Sequence, residues 1–118
     1  GTKEWHLHGK LHREDGAAIE CANGGKEWWL HGKLHREDGA AREWADGTKE
    51  WHLHGKLHRE DGAAIERANG DKMWYLHGKH YSDVNAWAQD ALKMNNKPHD
   101  AAAAEDYLRT ILTKDDLI

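Results

Sequence analysis

The sequence predicts a mainly β protein in which tandem 23-residue β-hairpin repeats form an elongated antiparallel sheet or solenoid, closed by a C-terminal helical hairpin. Three observations predict it. Gly1–Asn23 and Gly47–Asn69 differ only at Cys21 against Arg67, Gly24–Asp46 is a close variant, and a fourth copy starts at Gly70. Inside each copy apolar and polar residues alternate with period 2, the mark of a half-buried strand. Beyond Tyr81 the period changes to 3.6. Residues 1–81 are thus read as the repeat array, with repeats starting at 1, 24, 47 and 70, and residues 82–118 as a helical cap.

In the first strand of a repeat, Lys3 to His8, Trp5 and Leu7 fall on one face and Glu4, His6 and His8 on the other. Trp5, Trp28, Trp51 and Trp74 recur with Leu7, Leu30, Leu53 and Leu76, and this series is expected to be the packing face. His8-Gly9 makes the first turn, and Asp15-Gly16 and Asn23-Gly24 are tight-turn dipeptides. Ala17 to Ala22 can supply a second strand. Two stacking modes compete. A hairpin stack sets equivalent residues of neighbouring repeats roughly 9.6 Å apart, whereas a three-sided β-helix sets them at about 4.8 Å. The helix would line up Glu4, Glu27 and Glu50, and Arg13, Arg36 and Arg59, as ladders of like charge. Such ladders are destabilising, which favours the hairpin stack.

In the cap, Ser82 or Asp83 can begin a helix whose Val84, Trp87, Ala88, Ala91 and Leu92 share one stripe. Asn95, Asn96 and Pro98 interrupt it. Asp100 can cap a second helix with Ala104, Tyr107, Leu108, Ile111 and Leu112 on its apolar stripe, and Thr113 to Ile118 trail from its end. The hairpin is expected to cover the last strand of the sheet, since an open edge invites aggregation and terminal repeats need closing. The other reading is a docking element.

The repeat resembles the MORN repeat in Asp46-Gly47, the aromatic strand around Trp51, the turn His54-Gly55-Lys56 and the following Leu57-His58. It is more similar still to bacterial and bacteriophage repeats with a His-Arg-Glu-Asp-Gly-Pro motif. His12 to Ala17, His35 to Ala40 and His58 to Ala63 match that motif up to its last residue, where Ala replaces Pro. The resemblance covers residues 1–81 and implies an elongated antiparallel sheet used for contact with proteins, peptides or lipids.

Composition narrows the function. The net charge is −4, and Lys and Arg alternate with Glu and Asp rather than gathering on one face, so no nucleic-acid partner is expected. No apolar run is long enough to span a bilayer. Cys21 is the one cysteine, which fits a reducing, cytoplasmic setting in a bacterium or an infected host cell. Cys21 has no recognisable base beside it, Ser82 is the sole serine, and there is no phosphate-cradling loop, so no enzyme is expected.

Histidine, with 11 copies, raises the question of metal. His6, His8 and His12, and their counterparts His52, His54 and His58, have a strand spacing that could chelate zinc across a hairpin. Against this, His8 and His54 precede turn glycines, where His tolerates positive φ. Trp29 and Tyr75 also replace the partner at position 6. No cofactor or metal is therefore expected, and metal binding through these histidines stays an alternative.

The aromatics that break the repeat point to a binding surface instead. His6, Trp29, His52 and Tyr75 form a column facing away from the Trp5 series, with Trp44 on the second strand of the same repeat as Trp29. An exposed stripe of flat rings suits stacking against a partner. The sequence is thus read as a non-enzymatic protein–protein interaction scaffold with a protein or peptide partner, and as a possible homodimer through its N-terminal edge. The alternative is a phage-encoded inhibitor of a host defence or metabolic enzyme acting through the acidic tail.

Overall fold

The computed structural model describes residues 1–115. Each of the first three repeats contributes four two-residue strands. They are β1 (Lys3–Glu4), β2 (His6–Leu7), β3 (Lys10–Leu11) and β4 (Ile19–Glu20), then β5 (Lys26–Glu27), β6 (Trp29–Leu30), β7 (Lys33–Leu34) and β8 (Arg42–Glu43), then β9 (Lys49–Glu50), β10 (His52–Leu53), β11 (Lys56–Leu57) and β12 (Ile65–Glu66). The fourth repeat gives the longer β13 (Lys72–Leu76) and β14 (Lys79–Tyr81), followed by helices α1 (Val84–Met94) and α2 (Ala101–Asp115). The molecule is elongated, 48 × 31 × 22 Å.

Eight of these strands form one open sheet in the order β1-β4-β5-β8-β9-β12-β13-β14. Every pairing in it is antiparallel, so equivalent strands of neighbouring repeats lie two apart and the like-charge ladders of a β-helix do not form. The register sets Lys3, Glu20, Lys26, Glu43, Lys49, Glu66 and Lys72 opposite one another across successive strands. Directly opposite residues share a face of the sheet, so this face carries alternating charge from end to end, the favourable form of a cross-strand charge pair.

The alternating run from Lys3 to His8 is not one strand. Trp5 donates its N–H to the Ala18 carbonyl and accepts from the His12 N–H, at 2.8 and 3.0 Å. There the chain leaves the main sheet and enters the β2–β3 hairpin; Trp28 and Trp51 do the same in their repeats. The hairpins stack in turn: Gly32 N–H donates to the Leu11 carbonyl and Arg13 N–H to the Trp29 carbonyl, with copies one repeat on. The strand proposed over 17–22 shrinks to Ile19–Glu20, because Ala17 and Ala18 sit in the corner between sheet and hairpin.

The packing expectation needs correction at this corner. The deeply buried column of the array is Ala17, Ala18, Ala40, Ala41, Ala63 and Ala64, each at most 3% exposed. Trp5, Trp28 and Trp51 are half-buried, and Leu7 is 45% exposed. Each of these tryptophans is covered on one face by the Arg of its own repeat, the guanidinium carbon of Arg13, Arg36 or Arg59 lying 3.9, 3.8 or 3.8 Å from the ring centroid. The same Arg donates to Asp15, to the Ala17 carbonyl and to Glu20, or to their counterparts, all within one repeat rather than reaching the next. Gly16, Gly39 and Gly62 close the sandwich. A Cβ on Gly62 would lie 2.7 Å from the Arg59 guanidinium carbon.

The fourth repeat has Ser82 where an Arg would stand, and the helices take over. Trp87, fully buried, meets Trp74 with centroids 4.6 Å apart, and Leu76, Ala88, Ala91, Ala104 and Leu108 complete the main apolar core. Asp83, not Ser82, caps α1 by accepting from Asn85 N–H, and Asp100 accepts from Ala103 N–H at the start of α2. Asn96, at φ 57°, ends the first helix turn. The second helix continues to Asp115, past the predicted end of its apolar stripe; residues 116–118 lie outside the described residues. The hairpin is pinned to the third repeat by the Tyr107 hydroxyl donating to the Glu60 carbonyl at 2.6 Å and Asn95 Nδ2 donating to Glu60 Oε1 at 2.9 Å.

Candidate functional site

The aromatic column lies on the sheet face opposite the alternating lysines and glutamates. That face carries Glu4, Ile19, Glu27, Arg42, Glu50, Ile65 and Met73 in register. Ile19 and Ile65 become Arg42 in the second repeat, directly between two glutamates. Its guanidinium lies 3.5 Å from Glu27 and 3.8 Å from Glu50. Glu27 also accepts from Trp29 Nε1 at 2.8 Å, and Glu50 shares a 2.9 Å hydrogen bond with His52 Nε2. Trp44 completes the set, its ring centroid 5.3 Å from the Arg42 guanidinium carbon.

Five aromatic and charged groups are thus tied into one network, Trp29–Glu27–Arg42–Glu50–His52, with Trp44 against its Arg. The five column residues are not equally available. His52 is buried at 8% exposure, Trp29 and Tyr75 are half-buried, and Trp44 is 40% exposed. His6 is exposed, with Nε2 3.5 Å from Glu4 Oε1, and Tyr75 lies 5.1 Å from the His80 ring. The column is therefore not a bare stripe of rings: its middle is a charged lattice that orients Trp29 and leaves Trp44 as its open aromatic. Sequence reading missed Arg42. The signal was present, since the one repeat with Trp at both 29 and 44 is the one that exchanges Ile for Arg.

The histidines weighed for metal are held in other ways. His8, His31, His54 and His77 occupy the left-handed region at φ 53°, 51°, 51° and 48°, as the position before a turn glycine predicted. His12, His35 and His58 each accept, through Nδ1, the backbone N–H of the turn histidine 19 residues on, at 2.8–2.9 Å. The ring pairs His12–His31, His35–His54 and His58–His77 lie 4.5, 4.6 and 4.2 Å apart. These contacts join consecutive repeats like clasps. With Nδ1 accepting, the proton of the neutral ring sits on Nε2, and in His58 it is donated to Glu60 at 2.8 Å. That bond holds the Glu60 carboxyl below its usual range. His6 and His52 face Glu4 and Glu50. Among the described residues no group of three or more His, Cys, Asp or Glu converges in a geometry that could hold a metal ion.

Two tyrosines near the cap also have displaced phenols. Burial, reinforced by a 2.6 Å hydrogen bond to Asp90, pushes Tyr81 up to about 12. Burial likewise raises Tyr107, with Asp61 and Glu60 adding to it. Both hydroxyls are therefore held as donors to the cap interface. Among the described residues no helix is long and apolar enough to cross a membrane. Compared with known protein families, curated proteins and solved structures, the chain has no match.

Proposed function

We propose that the chain is a non-enzymatic protein–protein interaction scaffold of MORN-like type, and that it holds a protein or peptide partner against its aromatic column, through Trp29 and Trp44 of the second repeat and Tyr75 of the fourth. The observation that carries this reading is the open Trp44 ring beside Arg42, whose guanidinium lies at ion-pair distance from two glutamates. An open aromatic next to a paired cation is a contact pair of the kind that anchors interfaces. The first and third repeats carry Cys21 and Arg67 at the Trp44 position, so the Trp44 part of the proposed contact is local rather than repeated.

The test is capture of partners from extracts of the source organism by the full chain and by a Trp29→Ala, Trp44→Ala, Tyr75→Ala variant. The half-buried or exposed setting of these rings predicts an unchanged circular dichroism spectrum. Specific capture lost in the folded variant supports the reading. Equal capture by both proteins rejects it.

A further inference from the structure

The sheet has a second surface that no part of the aromatic-column reading uses. On the side of the Trp5 series, two equivalent grooves run between the His-Arg-Glu-Asp-Gly loops of consecutive repeats. One has Trp28 and Leu30 on its floor between the loops at Arg13 and Arg36; the other has Trp51 and Leu53 between the loops at Arg36 and Arg59. The third position in this series, Trp74 and Leu76 beside the loop at Arg59, is already filled by the helical hairpin. Leu76 falls to 2% exposure there, while Leu30 and Leu53 stay half-buried and Leu7 is 45% exposed.

The cap therefore displays what this surface accepts. An aromatic ring, Trp87, lies on the floor tryptophan, and polar groups from Tyr107 and Asn95 engage the backbone and carboxylate of the loop glutamate, Glu60. Asn95, Lys97 and Tyr107 also line the neighbouring groove, so the open surface is continuous with the covered one. Its rim has a definite sign. Arg13 and Arg36 are about one quarter exposed and paired within their own repeats, whereas the side chains of Glu14, Asp15, Glu37 and Asp38 are 84–88% exposed. A ligand approaching the grooves meets carboxylates.

Spacing selects the form of the ligand. Equivalent floors two strands apart are separated by roughly 9.6 Å. Residues i and i+7 of an α-helix are separated by about 10.5 Å along its axis and lie on nearly the same face. An amphipathic helix running along the array can thus seat one apolar side chain in each groove.

We propose that the grooves over Trp28–Leu30 and Trp51–Leu53 bind a basic amphipathic helix of a partner protein, its apolar face on the two leucines and its Lys or Arg flanks against Glu14, Glu37 and Asp38. The partner helix continues the layer that α1 and α2 begin. This surface is on the opposite side of the sheet from Trp44, so it stands or falls apart from the reading above.

The probe is a fluorescein-labelled 18-residue peptide of Leu, Trp, Ala and Lys with apolar residues at i, i+3, i+4 and i+7, titrated with the full chain by anisotropy. Its comparators are a scrambled peptide of the same composition, a Lys-to-Glu analogue and a proline-rich peptide with Leu at every third position. The expected result is saturable binding at least tenfold tighter than any comparator. Leu30→Asp with Leu53→Asp should weaken it at least tenfold, and so should Glu14→Lys with Glu37→Lys, while Trp44→Ala leaves it unchanged. Should the leucine variant lose its circular dichroism spectrum, the glutamate variant decides, because those side chains are 84–85% exposed. Absence of saturation, equal or tighter binding of a comparator, indifference to the glutamate exchange, or a matching loss in Trp44→Ala each overturns the proposal.

Discussion

Burial holds the His35 imidazole below its ordinary pKa of 6.5, and the neighbouring His54 adds to the effect while Glu37 opposes it. The fold thus favours neutral His35, whose Nδ1 accepts the His54 N–H at 2.9 Å. For a histidine with a depressed folded pKa, the stabilisation is fully present above the unfolded value and is lost as pH falls through the folded value. The urea midpoint should accordingly drop between about pH 7.5 and 5.5. In His35→Asn, the side-chain oxygen can keep the acceptor without titrating, so its midpoint should fall less over the same range. A fall as steep as that of the parent protein would remove His35 from the cause. Gly62 gives a second residue-level outcome. Its missing Cβ makes room for the Arg59 guanidinium over Trp51, so Gly62→Ala should cost about 1–3 kcal/mol as an overpacking change; thermal unfolding measures it, and no shift in midpoint would mean that the Arg can move aside freely. The left-handed histidines were legible in the sequence because each precedes a turn glycine. The clasps and the Arg–Trp–Gly sandwich were not, since they join residues 19 apart or depend on a corner that local alternation does not reveal.

At the scale of the element, charge order decides how the strands meet. Lys26 and Lys49 flank Glu43 across the sheet, and Arg36 reaches the same carboxylate at 3.4 Å. Glu43→Lys should therefore reverse two cross-strand pairs and lower stability by about 1–2 kcal/mol, and the deficit should shrink in high salt as the charges are screened. A salt-independent deficit in urea unfolding would assign the effect to packing instead. The antiparallel stacking itself was legible, because a parallel coil would have placed Glu4, Glu27 and Glu50 side by side. The short length of the strands was not. Alternation runs unbroken through Trp5, and only the hydrogen bonds of that residue to Ala18 and His12 show the chain changing partners there. The site was legible to a similar degree: Trp29 and Trp44 stood out as breaks in the repeat, while Arg42, which sequence reading missed, links Trp44 to Trp29 through Glu27.

For the whole molecule, the helices decide how the fourth repeat is covered. The helical hairpin covers Trp74 and Leu76 and buries Trp87 completely, consistent with the rule that a repeat array needs a closing element at its ends. Removing residues 82–118 would bare that apolar surface, and the remaining array should aggregate when followed by light scattering. A soluble, monomeric array would make the hairpin dispensable for closure. The cap was legible from its 3.6 period and its Asp starts, but its seat on Glu60 was not, because contacts from Tyr107 and Asn95 span 47 and 35 residues.

The architecture is tested most directly by nuclear Overhauser contacts between backbone protons in the second repeat. Strand β5 should show cross-strand contacts from Glu27 to Ile19 on one side and to Arg42 on the other. Contacts linking Glu4, Glu27 and Glu50 in sequence would contradict the account, for they would mean parallel coils rather than folded-back hairpins.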